Sequence, residues 1–291
     1  MKRIAFFLGA LLMWGSSQAS EMFPINYQCV KPVSKDLNLK YSNTRVAVYC
    51  AYKGYDTQDS LLIMQFAQKL RKYTMESPAV PLMAYLNFGL LPMTKGENQV
   101  SDTSMRELME ADTLDDLIMI DRISGHAFGE LALQYKVEYR ILNRQQEKIR
   151  SFTESKMLTL DDALENNAAM LAMIADYFAN TIFPYWENQE RYVYRGSSAQ
   201  ARAAFTSAEK FKWKEAVQEW IRLSSSANDE VAAEMSYNVA VGLEALGEYE
   251  LALKWLRQSL SYKDLDDDQR SLEKILIKKQ KQLVWLNEQM K

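Results

Sequence analysis

The chain has 291 residues, 48% of them apolar and 25% charged, with a formal net charge of −3. That is material for one large or two modest globular domains, and the interspersed acids and bases give no clustered cationic surface for nucleic acid. A single histidine, His126, excludes two-histidine zinc sites, and the absence of a G-x-S-x-G run excludes a serine elbow.

In chain order, Met1–Ala19 is expected to be a secretory signal. Lys2 and Arg3 form a positive start, Ile4–Trp14 is apolar but shorter than the roughly 20 residues a membrane span needs, and Ser17 and Ala19 are small residues at a cleavage site. The mature protein is then periplasmic or secreted, with membrane association peripheral at most and outer-membrane association left open. Lipidation needs a cysteine directly after the cleavage site, and Cys29 lies well past it, behind Tyr27-Gln28. Export makes Cys29 and Cys50 a disulfide candidate. Closing that loop of about 20 residues would contribute about 3 kcal/mol and pin an irregular N-terminal arm (residues 20–44).

An α/β domain is expected over residues 45–195. Arg45–Tyr52 reads as a strand, and Thr57 or Asp59 caps a helix with Leu62, Ile63, Phe66, Ala67, Leu70 and Tyr73 on one face. Ala79–Leu86 reads as an edge strand containing Pro81, and Leu90–Val100 as a loop. Ser101–Ala111 is a short helix, and Asp116–Ser124 a strand covered on both faces. His126 falls in Ser124–Gly129, read as a glycine-flanked turn. Tyr135, Val137, Tyr139 and Ile141 alternate with Lys136, Glu138 and Arg140, and Ile149–Leu158 completes a hairpin. Thr159 or Asp161 starts a helix to Ile182. The order predicts a layered mixed sheet, α/β or α+β in class. It resembles the small α/β domains of bacterial envelope accessory proteins, such as the curli-secretion lipoprotein and the activators of penicillin-binding proteins.

Phe183–Ser198 reads as a linker in which Tyr185, Trp186, Tyr192 and Tyr194 crowd together with Arg191 and Arg195. The favoured reading is that these rings pack one half of the chain against the other, and the alternative is an aromatic ligand platform. Residues 196–291 are expected to be helical. Trp213 and Ala216 recur as Tyr249 and Ala252, 36 residues later, and Gly247 sits at a turn that Phe211 occupies in the first unit. This resembles a tetratricopeptide repeat, specific over Ala233–Asp264 and weaker over Ser197–Ser225, with residues 266–290 as a solubilising cap. The resemblance implies that Tyr237, Asn238, Val241 and Glu244 form an exposed binding face. Asn238 takes the position of a peptide-clamping asparagine, and Arg202 the equivalent place in the first unit. The whole mature chain resembles an exported bacterial family of unknown function that joins an α/β domain to tetratricopeptide-like helices. The strand pair around Tyr135–Ile141, Pro184-Tyr185-Trp186, Arg191-Tyr192, the Phe211–Trp220 unit and Tyr237-Asn238 through Gly247 carry that resemblance.

The function expected is a non-enzymatic scaffold or accessory protein of the cell envelope, binding a protein or peptide partner and no nucleic acid, metal or cofactor. The alternative is a small-molecule or glycan-binding α/β domain with the repeats as support. A third reading, a hydrolase built on Asp116 and Asp121, rests only on two acids at one strand.

Overall fold

The computed structural model describes residues 21–128, 132–159, 167–262 and 267–291, so the expected signal lies outside the described residues. The chain is a mixed α+β protein, with a sheet in its N-terminal part and helices at its C-terminal end. Strands β1 (Met22–Lys31), β2 (Arg45–Lys53), β3 (Tyr85–Met93), β4 (Asp116–Phe128), β5 (Ala132–Asn143), β6 (Ile149–Thr159) and β7 (Tyr185–Tyr194) alternate with helices α1 (Thr57–Met75), α2 (Asp102–Ala111) and α3 (Asn167–Ile182). Helices α4 (Ala199–Glu209), α5 (Trp213–Leu223), α6 (Asp229–Ala245), α7 (Tyr249–Tyr262) and α8 (Asp267–Gln289) follow. The chain forms two compact units: residues up to Tyr27 with Glu190–Glu273, and Gln28–Gln189 with Lys274–Lys291.

The second unit holds the five-stranded sheet, ordered β3-β2-β4-β5-β6. β2 pairs in parallel with β3 and β4, and β4, β5 and β6 run antiparallel. One face carries Val46, Val48, Ile118, Ile120, Tyr135, Val137, Tyr139 and Ile141, packed with Ile63, Phe66 and Leu70 of α1 and Leu171, Ile174 and Phe178 of α3. The other carries Ala47, Ala51, Leu117 and Met119 against Met105 and Met109 of α2. Coverage on both sides explains the unbroken apolar run Leu117–Ile120. β3 starts later than expected and takes in Pro92. As an edge strand, it has one side without a ladder, where a missing N–H costs nothing.

Three expectations are corrected here. Ser124–Phe128 is strand, with His126 opposite Gln134 in the β4–β5 register, and no turn occurs there. The arm is not irregular over its first part, and the linker is largely strand: β1 and β7 pair as a separate two-stranded sheet. The last helix does not end as a cap on the other helices. The Gln289 carbonyl accepts from the Tyr41 N–H at 2.7 Å, and Met290 packs against the core of the sheet.

In the first unit, α4 packs on α5, α5 on α6 and α6 on α7. The turn ending α6 is a Schellman motif, with the Glu248 N–H donating to the Leu243 carbonyl (2.9 Å) and Gly247 N–H to Glu244 (3.0 Å). The turn ending α4 repeats it: Lys212 N–H to Ser207 (2.9 Å) and Phe211 N–H to Ala208 (2.9 Å). Gly247 takes φ +80° at no steric cost, whereas Phe211 is forced to φ +58°. Its ring is 66% exposed and recovers little by packing. Phe211→Gly is therefore expected to stabilise the protein by about 0.5–1 kcal/mol, and Gly247→Ala to destabilise it by a similar amount. Urea unfolding midpoints at unchanged slope are the check.

Candidate functional site

The face of α6 expected to meet a partner is buried by the chain itself. Tyr237, Asn238, Val241 and Glu244 are all buried, with Asn238 at 0% exposure. The reason lies in β7. The Tyr194 N–H donates to Asn238 Oδ1 (2.8 Å), and Asn238 Nδ2 donates to the Tyr194 carbonyl (2.7 Å). Asn238 thus grips a strand backbone as a clamp would, but the strand is its own. Arg191 donates through Nε (3.0 Å) and Nη2 (2.9 Å) to the two oxygens of Glu244. Burial works against the Arg191 charge, and the Glu244 carboxylate more than offsets it. The Tyr194 ring meets Tyr237 edge-on at 5.8 Å. β1 occupies α4 and α5 in the same way, with Phe23 on Phe205 (5.7 Å) and Tyr27 on Trp213 (5.8 Å), both edge-on. Arg202 alone of the named residues is exposed, and it donates to the Ser197 carbonyl.

The other sequence candidates also have structural employment. Cys29 and Cys50 are buried thiols and form no disulfide. Cys29 lies on β1 and Cys50 on β2 in a different sheet, where it packs into the core and burial pushes its thiol up to about 12. Asp121 sits at a bulge of β4 and gives both oxygens to Arg140 (each 2.7 Å), whose guanidinium also donates to Asp102 and the Val100 carbonyl. Asp116 is buried and accepts from Asn143 Nδ2 at 2.7 Å. Burial pushes its carboxyl up to about 6, with the Asn143 hydrogen bond opposing.

A cleft of about 200 Å³ opens in the sheet-containing unit, where the end of α1, the second half of α3 and the start of β7 converge. Pro184 stops α3 and turns the chain into β7. The Ser77 hydroxyl fixes that turn by donating to the Pro184 carbonyl (2.7 Å) while accepting from the Ala79 N–H (3.2 Å). Buried Thr74, Ser77, Ala179 and Phe183 form the inner wall, and Tyr73, Glu76, Asp176, Asn180, Tyr185 and Trp186 form the rim. Trp186 is 54% exposed, so it does not pack as the sequence suggested. Partial enclosure, then the neighbouring Glu76 charge, raise the Asp176 carboxyl, and Lys156 opposes them. Thr74 has 0% exposure, and its hydroxyl has no hydrogen-bond partner. A second cleft of about 340 Å³ lies between α2 and the β5–β6 turn. Its two guanidiniums are spent on backbone: Arg106 donates to the Glu147 carbonyl, and Arg144 to those of Leu114 and Met109.

Among the described residues, no group of three or more His, Cys, Asp or Glu side chains could hold a metal, and no helix is long and apolar enough to cross a membrane. Residues 201–282 match the model of a Domain of unknown function (DUF6340). No curated protein matches the chain. Two structures of the PelC dodecamer from Paraburkholderia phytofirmans, one of them a point variant, overlap it at 10% and 11% identity with TM-scores of 0.30 and 0.27. They cover 54% and 53% of this chain and 98% and 96% of theirs. The crystal structure of an uncharacterized protein overlaps at 11% identity and TM-score 0.27, covering 50% of this chain and 91% of that one. Overlaps this weak bear no argument.

Removing one partner of the Arg191–Glu244 pair leaves a buried charge. Arg191→Met is expected to cost about 3–5 kcal/mol of stability, and adding Glu244→Leu to recover most of it, as read by a double-mutant cycle in urea. Asp116 acts with the opposite sign to a salt-bridged acid. Its folded carboxyl titrates about two units above the unfolded one, so its charge costs nothing below pH 4 and about 3 kcal/mol above pH 6. Asp116→Asn is therefore expected to be more stable than the parent by up to that amount at pH 7.5 and equal to it at pH 4. Carboxyl NMR should place the Asp116 midpoint near 6.

Proposed function

We propose that this chain is an exported, non-enzymatic binding protein of the bacterial cell envelope. Its α/β unit takes a small polar molecule in the cleft between Tyr73 and Trp186, and its tetratricopeptide-like helices act as structural support. The cleft is the observation that carries this reading. It has a buried wall, an aromatic ring more than half exposed at its rim, and two carboxylates among its lining residues.

Export rests on the sequence of Met1–Ala19. The tetratricopeptide-like reading of the helices is supported by the paired Schellman turns and by the buried positions Ala204 and Ala240, Trp213 and Tyr249, and Ala216 and Ala252, each pair 36 residues apart. A supporting role for the helices is favoured because the side chains that would clamp a foreign peptide hold the chain's own β7. Scaffolding of a protein partner is the second reading. It is favoured by Ile221, Leu251 and Tyr262, which α5 and α7 leave exposed.

The cleft is tested by ligand-observed NMR of the purified protein with a library of polar fragments. Saturation transfer is expected to several fragments in the wild type and to be lost in Trp186→Ala, a change at an exposed ring that leaves the fold intact. Fragments that bind equally well to Trp186→Ala would count against the site.

A further inference from the structure

We propose that the ligand of the Tyr73–Trp186 cleft is a small organic cation, an alkylammonium or guanidinium compound; this rests on the reading of that cleft as a binding site. The lining residues include two carboxylates, Glu76 and Asp176, and no lysine, arginine or histidine. Among the lining side chains an anion meets two like charges and no counter-charge; the lysines that act on lining residues, Lys72 over the Tyr73 ring (6.0 Å), Lys31 on Tyr185 and Lys156 on Asp176, stand outside that lining. The nearest cation acting on Asp176, Lys156, is not part of the wall. Its Nζ lies over the Tyr177 ring, 4.4 Å from the centroid. Burial, then the neighbouring Glu76 charge, raise the Asp176 carboxyl, and a bound cation opposes both, whereas a neutral sugar does not.

The uncharged groups fit the same guest. Trp186, more than half exposed among the lining residues, is the best side chain for a cation–π contact. The Asn180 side chain adds an acceptor. The roughly 200 Å³ available is below the roughly 300–1,000 Å³ of drug-sized sites, which limits the guest to a small molecule. Geometry and charge thus agree on one chemistry.

Calorimetric titration of the purified protein with cadaverine and with arginine amide, at about 50 mM salt to limit screening, tests this. N-acetylglucosamine serves as a neutral probe. Saturable binding of at least one amine is expected, weakened at least about tenfold by Asp176→Asn and by Glu76→Gln. Both side chains are exposed, so neither change threatens the fold. Amine binding indifferent to Asp176→Asn and Glu76→Gln would overturn the proposal. Binding of N-acetylglucosamine but of neither amine would overturn the cation and keep the cleft as a site. If neither amine nor any polar fragment binds, the site falls together with its ligand.

Discussion

Helix α6 buries an amide and a carboxylate, and neither can stay buried without partners. Asn238 and Glu244 are satisfied by one short stretch of β7: the backbone of Tyr194 and the guanidinium of Arg191. This constraint organises the helical unit. A strand outside a full sheet carries unpaired N–H and C=O groups, and a side-chain amide matches one of each. The two deficits cancel, at Tyr194 and Asn238, without a further strand. Aromatic pairs from β1 to α4 and α5 extend the seal, so the face expected to serve a partner is spent within the chain.

Much of the fold was legible because its signals are local. The alternation Tyr135–Ile141, the apolar run Leu117–Ile120 and the helical stripe from Leu62 to Tyr73 each report their own burial. The 36-residue recurrence was legible down to the turn, and Phe211 keeps the left-handed conformation without glycine because the Schellman hydrogen bonds hold it there. β1 and β7 were missed although Ile25, Tyr27 and Cys29 alternate as a strand should. Polar residues between them, Pro24, and a partner strand about 160 residues away gave a two-stranded ribbon little local signature.

The binding face failed for a different reason. A helical wheel gives the chemistry of a face and not its cover. Tyr237, Asn238, Val241 and Glu244 were correctly placed on one side of α6, and Asn238 does clamp a backbone. Nothing in periodicity says whether that backbone is foreign. The polar character of Asn238 and Glu244, which suggested exposure, reflects instead the hydrogen-bonding needs of the strand above them.

The cleft was illegible for the converse reason. Its walls come from residues 73–77, 176–180 and 183–186, which no local pattern joins. Other buried groups lack partners too, Tyr135 Oη among them, but that one sits inside the packed core of the sheet. Thr74 differs in lying against the wall of a cavity rather than within the sheet core. An isosteric valine would have filled the same volume without the desolvation cost. Two carboxylates and an exposed indole around one cavity, with no cation among its lining residues, make physical sense for a guest that brings the positive charge with it.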